Sequence, residues 1–162
     1  MATVQAKPET EKKEQQGLPR LDEKLMKPGK YEITREDTFT VEIWLKKREQ
    51  RWILCQPSEK GSMKEEVVFR MWTYDEMVEL RKMATTYDAL KRIHMVDHDS
   101  LNRMKLQRLM VSWTFDKENP RLRIQHINGV LTDESWGAFV RLHPNICSFI
   151  IERMNLVYEF NG

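Results

Sequence analysis

The sequence predicts an α+β protein in which a small antiparallel sheet near the N-terminus packs on about four helices, preceded by an extended N-terminal arm. Between residues 31 and 72, apolar residues alternate with polar ones, which is the period of a half-buried strand. From residue 73 onward they recur every three or four positions, which is the period of an amphipathic helix. The first 30 residues have few large apolar side chains to offset the entropy cost of ordering.

The composition predicts one soluble globular domain, since the chain has 162 residues, of which 40% are hydrophobic and 32% charged. We expect residues 1–30 to form an arm that is flexible or ordered by a partner. Residues 31–162 form the domain, with mainly strands to residue 72 and mainly helices from residue 73. Cys55 and Cys147 belong to no C-x-x-C motif and indicate buried thiols of a reducing compartment. With no secretory or membrane-spanning run, the sequence favours a soluble intracellular protein without membrane contact.

Three strands are predicted in the first half of the domain. The segments "TFTVEIWL" and "RWILCQ" flank the polar "KKREQ", and this arrangement is typical of a β-hairpin. The segment "EEVVFRMW" follows the turn-forming "PSEKGS" and supplies the third strand.

Two helices should follow. Thr73 and Glu76 have the spacing of a capping box, and apolar residues at helical spacing continue to Tyr87, so we predict a helix from about Tyr74 to Ile93. A second helix should begin near Asp99 or Ser100. Its apolar stripe comprises Leu106, Leu109, Met110 and Trp113.

The C-terminal region predicts a short strand at "RLRIQHI", a turn at Asn128-Gly129 and two helices. Thr132 should cap the first helix, and Pro144 suits the first position of the last. The apolar arc of the last helix is wider than packing on one side needs, so either the domain wraps it on two sides or another chain covers it. The predicted partner-binding residues are Trp136, Phe139, Ile146, Phe149, Ile150, Met154, Val157 and Phe160.

Catalytic, cofactor and metal residues are not predicted. His94 and His98 are four apart, but spacing identifies no third ligand, and Asp99 or Ser100 in the same segment is expected to cap a helix. Cys147 lies in an apolar helix, where a reactive thiolate is disfavoured. The sequence also has no glycine-rich phosphate loop and no nucleophile elbow.

The charge distribution provides an alternative function. The first 30 residues hold seven basic and five acidic residues, an excess equal to the net charge of +2 for the whole chain. Nucleic-acid binding is therefore not favoured, because it needs a concentrated basic surface. The alternative is a nucleic-acid-binding accessory protein that uses Lys12 and Lys13 of the arm with the face formed by Arg103, Lys105 and Arg108.

Three segments resemble a known family: "VVFRMWTYDEMVELRKMATTYD", "LNRMKLQRLMVSWTFD" and "GVLTDESWGAFVRLHPNICSFIIERMN". A strand leading into a capped helix, a helix ending in Trp, a Gly-x-Leu-Thr turn and a last helix after Leu-x-Pro resemble small tail-assembly and baseplate-associated proteins of tailed bacteriophages, notably tail assembly chaperones. The resemblance covers residues 67–155. Residues 1–60 lie outside it, which leaves open a virion component instead of a transient chaperone.

The resemblance implies a protein without catalytic activity that works in the cytoplasm of an infected host. It also implies apolar surfaces that bind another tail protein. In a chaperone that partner is the tape measure protein, and in a structural component it is a neighbouring tail or baseplate subunit. The oligomeric state stays open, including a homo-oligomer.

Overall fold

The computed structural model describes residues 33–160, and at Phe160 it describes the backbone alone. This part of the chain contains four α-helices and antiparallel sheets, and three of the four strands of the largest sheet lie in the N-terminal half, so the predicted α+β class is confirmed. The predicted arm of residues 1–30 lies outside the described residues. In chain order the elements are β1 (Thr38–Arg48), β2 (Arg51–Leu54), β3 (Met63–Arg70), α1 (Tyr74–Met83), β4 (Thr85–Asp88), β5 (Ile93–Val96), α2 (His98–Leu109), β6 (Met110–Trp113), a 3-10 turn (Pro120–Leu122), β7 (His126–Ile127), β8 (Val130–Leu131), α3 (Asp133–Val140) and α4 (Pro144–Phe160).

The main sheet has the strand order β2-β1-β3-β6, and every neighbouring pair is antiparallel. The predicted hairpin is confirmed, with β1 and β2 joined by Glu49 and Gln50. Both residues have positive φ, at 48° and 65°, as a two-residue turn of this hand requires. On the core face, Phe39 lies opposite Phe69 and Val41 opposite Val67.

The capping box of α1 is confirmed: the Glu76 amide donates to Thr73 Oγ1 at 3.3 Å, and the Thr73 amide donates to Glu76 Oε2 at 3.0 Å. The predicted length is wrong, because α1 ends at Met83 and not at Ile93. The residues that follow form a separate hairpin of β4 and β5. Its first strand is Thr-Thr-Tyr-Asp, and β-branched and aromatic residues favour strands over helices.

The second helix also ends earlier than its apolar stripe indicates. Asp97 is its N-cap and accepts from the amides of Asp99 and Ser100, so the expectation that Asp99 or Ser100 would cap it is wrong. Residues 110–113 leave the helix to form β6, which pairs with β3 and places Trp113 opposite Val67. Trp113 is still buried, although on a strand and not on a helix.

The C-terminal turn signals are confirmed. Asn128 and Gly129 have φ of 52° and 76° and join β7 to β8, although only His126 and Ile127 of the predicted strand pair. Thr132 accepts from the Ser135 amide as the N-cap of α3, and Pro144 is the first residue of α4.

Helix α4 packs against β1, β2 and α3, and its last turns close the core. The hydroxyl of Tyr158 donates to the carbonyl oxygen of Arg70 at 2.6 Å. The ring of Tyr158 contacts those of Phe39 and Trp72, with centroids 5.1 Å and 4.9 Å apart. Among residues 33–160, no helix is long and apolar enough to cross a membrane.

Candidate protein-interaction site

Most of the predicted partner-binding residues lie in the core. Ile150 and Met154 have no exposed surface. The others that are buried are Phe139, Ile146 and Val157. The sequence left two explanations for the broad apolar arc of α4: the domain covers it on two sides, or another chain does. The structure supports the first, so the prediction that these side chains bind a partner is wrong for the buried ones. All five belong to the buried core that the sheet and the helices enclose, so they are not accessible to a partner while the domain is folded.

The remaining predicted residues are only partly accessible. Trp136 is half-buried, stacks on Phe139 with ring centroids 5.3 Å apart, and has the Arg103 guanidinium 4.9 Å from its ring. Phe149 is half-buried beneath the Arg153 guanidinium, at 5.1 Å. The side chain of Phe160 lies outside the described residues. Arginine stems and guanidinium groups therefore occupy the aromatic surface that α3 and α4 leave uncovered.

Unlike α4, the hairpin of β4 and β5, residues 85–96, has large apolar side chains that are exposed. We call it the apolar hairpin. Leu90 at its tip is 97% exposed and Tyr87 is 58% exposed. Its other exposed large apolar residues are Ile93, Met95 and Val96. The two strands form their own sheet, which joins no third strand in the described part of the chain.

Apolar side chains lie on both faces of the hairpin. Tyr87 pairs with His94 across the strands, and their rings lie 5.1 Å apart. Because side chains alternate along a strand, Val96 shares the face of His94, whereas Ile93 and Met95 lie on the opposite face. A two-stranded ribbon with exposed apolar side chains on both faces is unusual, because two-stranded hairpins are marginally stable alone in water.

The tip and the base of the hairpin are held in place. At the tip, Asp88 Oδ1 accepts from the amides of Leu90 and Lys91, at 3.0 Å and 3.1 Å. At the base, the Asp97 amide donates to the Ala84 carbonyl oxygen at 2.8 Å. Hydrogen bonds from the Ser100 side chain and amide also hold the pKa of Asp97 below its usual value. The hairpin therefore projects as an ordered element from the junction of α1 and α2.

The register shows which backbone groups face outward. The bond between Ala84 and Asp97 marks a hydrogen-bonded pair, and such pairs alternate along antiparallel strands. Thr86 therefore bonds with Met95, whereas the peptide groups of Thr85 and Tyr87 point away from the ribbon. On β5, those of His94 and Val96 do the same. These outer groups have the geometry needed to pair with an added strand.

The predicted basic face is not formed. Lys105 is 1% exposed, and its Nζ donates to Asn155 Oδ1 at 2.9 Å and lies 5.1 Å from the centroid of the Trp72 ring. Burial lowers the pKa of Lys105, and Glu159 opposes that change from 3.8 Å. Arg108 pairs with Glu79 at 3.6 Å. The three predicted basic residues on α2 thus lie in different surroundings.

The residues considered for metal binding or nucleophilic chemistry do not form a site either. His94 lies on β5 and His98 is the first residue of α2. Residues 33–160 contain no group of three or more His, Cys, Asp or Glu arranged to hold a metal ion. The thiol of Cys147 is directed at the Phe139 carbonyl oxygen, 3.4 Å away, and burial raises its pKa. A raised pKa keeps the thiol protonated, which disfavours reactivity.

Sequence reasoning missed the apolar hairpin because helical spacing before it obscured two weaker signals. These are the β-branched Thr85 and Thr86, followed by the run Ile-His-Met-Val at 93–96. No family model, curated protein or solved structure matches the chain.

Proposed function

We propose that this chain is a non-enzymatic morphogenesis protein of a tailed bacteriophage that acts through protein–protein contacts. It serves as a tail assembly chaperone or as a structural component of the tail or baseplate. The resemblance over residues 67–155 supports the setting, which is the host cytoplasm during assembly. Retention in the finished virion distinguishes the structural role from the chaperone role.

The observation that carries this proposal is the exposure of the apolar hairpin. Burying a large apolar side chain contributes about 1.5–3 kcal/mol, of which Leu90 gains almost none within the folded domain and Tyr87 less than half. Because the hairpin is apolar on both faces and held at its base, it is suited to enter an apolar cleft of another protein. The partner is the tape measure protein in the chaperone role and a neighbouring tail or baseplate subunit in the structural role.

The nucleic-acid alternative has less support, because Lys105 is buried and Arg108 is paired with Glu79. Lys12 and Lys13 lie outside the described residues. An electrophoretic mobility assay with duplex DNA at low and high salt tests this alternative. We expect no shift at either salt concentration, and a shift at low salt that disappears at high salt would reinstate nucleic acid as the ligand.

Co-expression of the tagged chain with the tape measure protein of the same phage tests the proposed contact. Replacing Tyr87 and Leu90 with Asp should weaken recovery of the partner at least tenfold, because about 1.4 kcal/mol corresponds to a tenfold change in affinity. The matched control is Ile127→Asp, at an exposed apolar residue on the separate hairpin of β7 and β8.

The control variant should retain the partner, and circular dichroism should show all three proteins folded. Equal recovery with the wild-type chain and the Tyr87/Leu90 variant would contradict binding through the hairpin. Failure to recover the tape measure protein with the wild-type chain would exclude the chaperone role. Mass spectrometry of purified virions then tests the structural role, which requires the chain in the particle.

A further inference from the structure

The hairpin of β1 and β2 extends past the rest of the main sheet as a basic two-stranded ribbon. Strand β3 pairs with β1 from Thr38 to Leu45, so residues 46–48 of β1 pair with β2 alone. We call residues 46–53 the basic ribbon, because four of the six residues from 46 to 51 are Lys or Arg. The basic ribbon belongs to the main sheet and shares no strand with the apolar hairpin.

Lys46, Arg48 and Arg51 lie on one face of the basic ribbon, because Arg48 is directly opposite Arg51 and two positions from Lys46. Lys46 forms an ion pair with Glu59. Arg48 and Arg51 are exposed and form no ion pair in the described part of the chain, not even with Glu49 of the turn. Like charges placed opposite each other destabilise a pair of strands, so this face favours an anionic partner.

The basic ribbon also has a free edge. Strand β2 is an edge strand of the main sheet, and the Cys55 amide beyond its end donates to the Trp44 carbonyl oxygen of β1 at 2.9 Å. Such hydrogen-bonded pairs alternate along antiparallel strands, so the peptide groups of Trp52 and Leu54 point away from β1. These outward groups have the geometry needed to pair with an added strand.

The charged face and the free edge together favour a polypeptide as the partner. The outward groups of Trp52 and Leu54 include both N–H donors and C=O acceptors, and a peptide backbone supplies partners for both. Phosphate oxygens of a nucleic acid only accept hydrogen bonds, so they would leave these carbonyl oxygens unpaired. We infer that an acidic, extended segment of another protein adds to the edge of β2 as a strand, with its carboxylates beside Arg48 and Arg51.

The opposite face of the basic ribbon defines the rest of the partner sequence. Trp52 is 39% exposed and lies on that face opposite Lys47. Because side chains alternate along a strand, apolar residues of the added strand can pack on the Trp52 ring while acidic ones lie on the arginine face. The partner segment should therefore alternate acidic with apolar residues. This contact goes beyond the proposed function, because it uses β2 and leaves the apolar hairpin free.

Fluorescence anisotropy of the full-length protein at low salt, with a labelled peptide that alternates Glu with Val, tests the inference. We expect saturable binding of this peptide and no binding of one that alternates Lys with Val. A Glu-Val peptide with every amide N-methylated should bind at least tenfold more weakly. N-methylation keeps the charges but removes the backbone donors, so it separates strand addition from charge attraction alone.

The variant Arg48→Glu/Arg51→Glu should bind the Glu-Val peptide at least tenfold more weakly, because repulsion replaces attraction. The matched control is Arg121→Glu/Arg123→Glu, which makes the same change in charge at two exposed arginines near the 3-10 turn. The control should bind as the wild type does. Both variants alter exposed side chains, so their circular dichroism should match that of the wild type.

Absence of Glu-Val peptide binding at low salt would overturn the inference, and so would equal affinity of the wild type and Arg48→Glu/Arg51→Glu. Equal binding of the N-methylated peptide would leave charge attraction without strand addition and overturn it too. Labelled single-stranded oligothymidylate is the last probe, and tighter binding of this DNA than of the peptide would assign the basic ribbon to nucleic acid. The Tyr87/Leu90 variant of the apolar hairpin should bind the peptide normally, so this result does not depend on the proposed function.

Discussion

Helix α4 and the apolar hairpin are both rich in apolar residues, but the fold treats them in opposite ways. Along α4, Ile150, Met154 and Tyr158 have no exposed surface. Along the hairpin, Leu90 is almost entirely exposed, and Tyr87 more than half exposed. The more apolar segment, α4, is therefore part of the core of the domain. The segment that can meet a partner is shorter and more polar in sequence.

The difference teaches that the width of an apolar arc on a helix does not determine its accessibility. Helix α4 has the sheet on one side and α3 on another, so both sides of its arc are used. The hairpin is inserted between α1 and α2, and a hydrogen bond between Asp97 and Ala84 closes its base. What surrounds an element in the fold, rather than its own composition, decides whether its apolar residues bind a partner.

The largest expected effect comes from a charge placed on α4. Ile150→Asp puts a carboxylate into a site with no exposed surface and should destabilise the domain by about 4–5 kcal/mol or more, which is close to the whole stability of a domain at the lower end of the usual range. We expect loss of the cooperative thermal transition in circular dichroism. A folded, soluble variant that no longer binds its partner would return the interface to α4 and reverse the comparison.

A smaller effect on stability should come from the titration of Lys105, whose amino group lies between α2 and the last turns of α4. Burial lowers its pKa in the folded state, so the unfolded state holds this proton more tightly. Stability should therefore increase as the pH rises through the folded pKa towards the ordinary lysine value of 10.5. The variant Lys105→Met should lack this increase in stability with pH.

Urea denaturation at pH 8 and pH 10 measures this difference. The wild-type free energy of unfolding should rise relative to that of Lys105→Met between the two pH values. The matched control is Lys82→Met at an exposed lysine of α1, which should follow the wild type. Parallel pH dependences for the wild type and Lys105→Met would show that Lys105 titrates as it does in the unfolded chain.

The smallest effect on stability is expected at the tip of the hairpin. Leu90→Asp removes almost no buried surface and should change the free energy of unfolding by no more than about 0.5 kcal/mol. Urea denaturation checks this value. A loss of several kcal/mol would mean that Leu90 supports the fold and is not an accessible binding residue.

Local signals in the sequence were sufficient for the caps of α1 and α3 and for two turns, but not for the cap of α2, which is Asp97 and not Asp99 or Ser100. The capping box at Thr73, the Asn128-Gly129 turn and the start of α4 at Pro144 depend on neighbouring residues, and all three are confirmed. The ends of α1 and α2 depend on pairing with distant residues. Residues 110–113 form strand β6 and do not continue the helix, because they pair with the edge of β3. The local sequence does not indicate that this edge is nearby.

The candidate site could not be predicted for a related reason. The sequence shows that α4 is apolar, but not that the sheet and α3 cover it. Likewise, the alternation of Ile-His-Met-Val at 93–96 indicates a strand, but not that the strand stands apart from the main sheet. Burial is a property of the assembled fold, so the residues proposed for binding moved from α4 to the hairpin.

Hydrogen–deuterium exchange on the free chain and on the chain mixed with its proposed partner, the tape measure protein, tests the central claim most directly. The outward amides of Thr85, Tyr87, His94 and Val96 should exchange rapidly in the free chain and become protected in the complex. Those of α4 should be protected in both states. Protection that appears elsewhere while residues 85–96 exchange as before would contradict binding through the apolar hairpin.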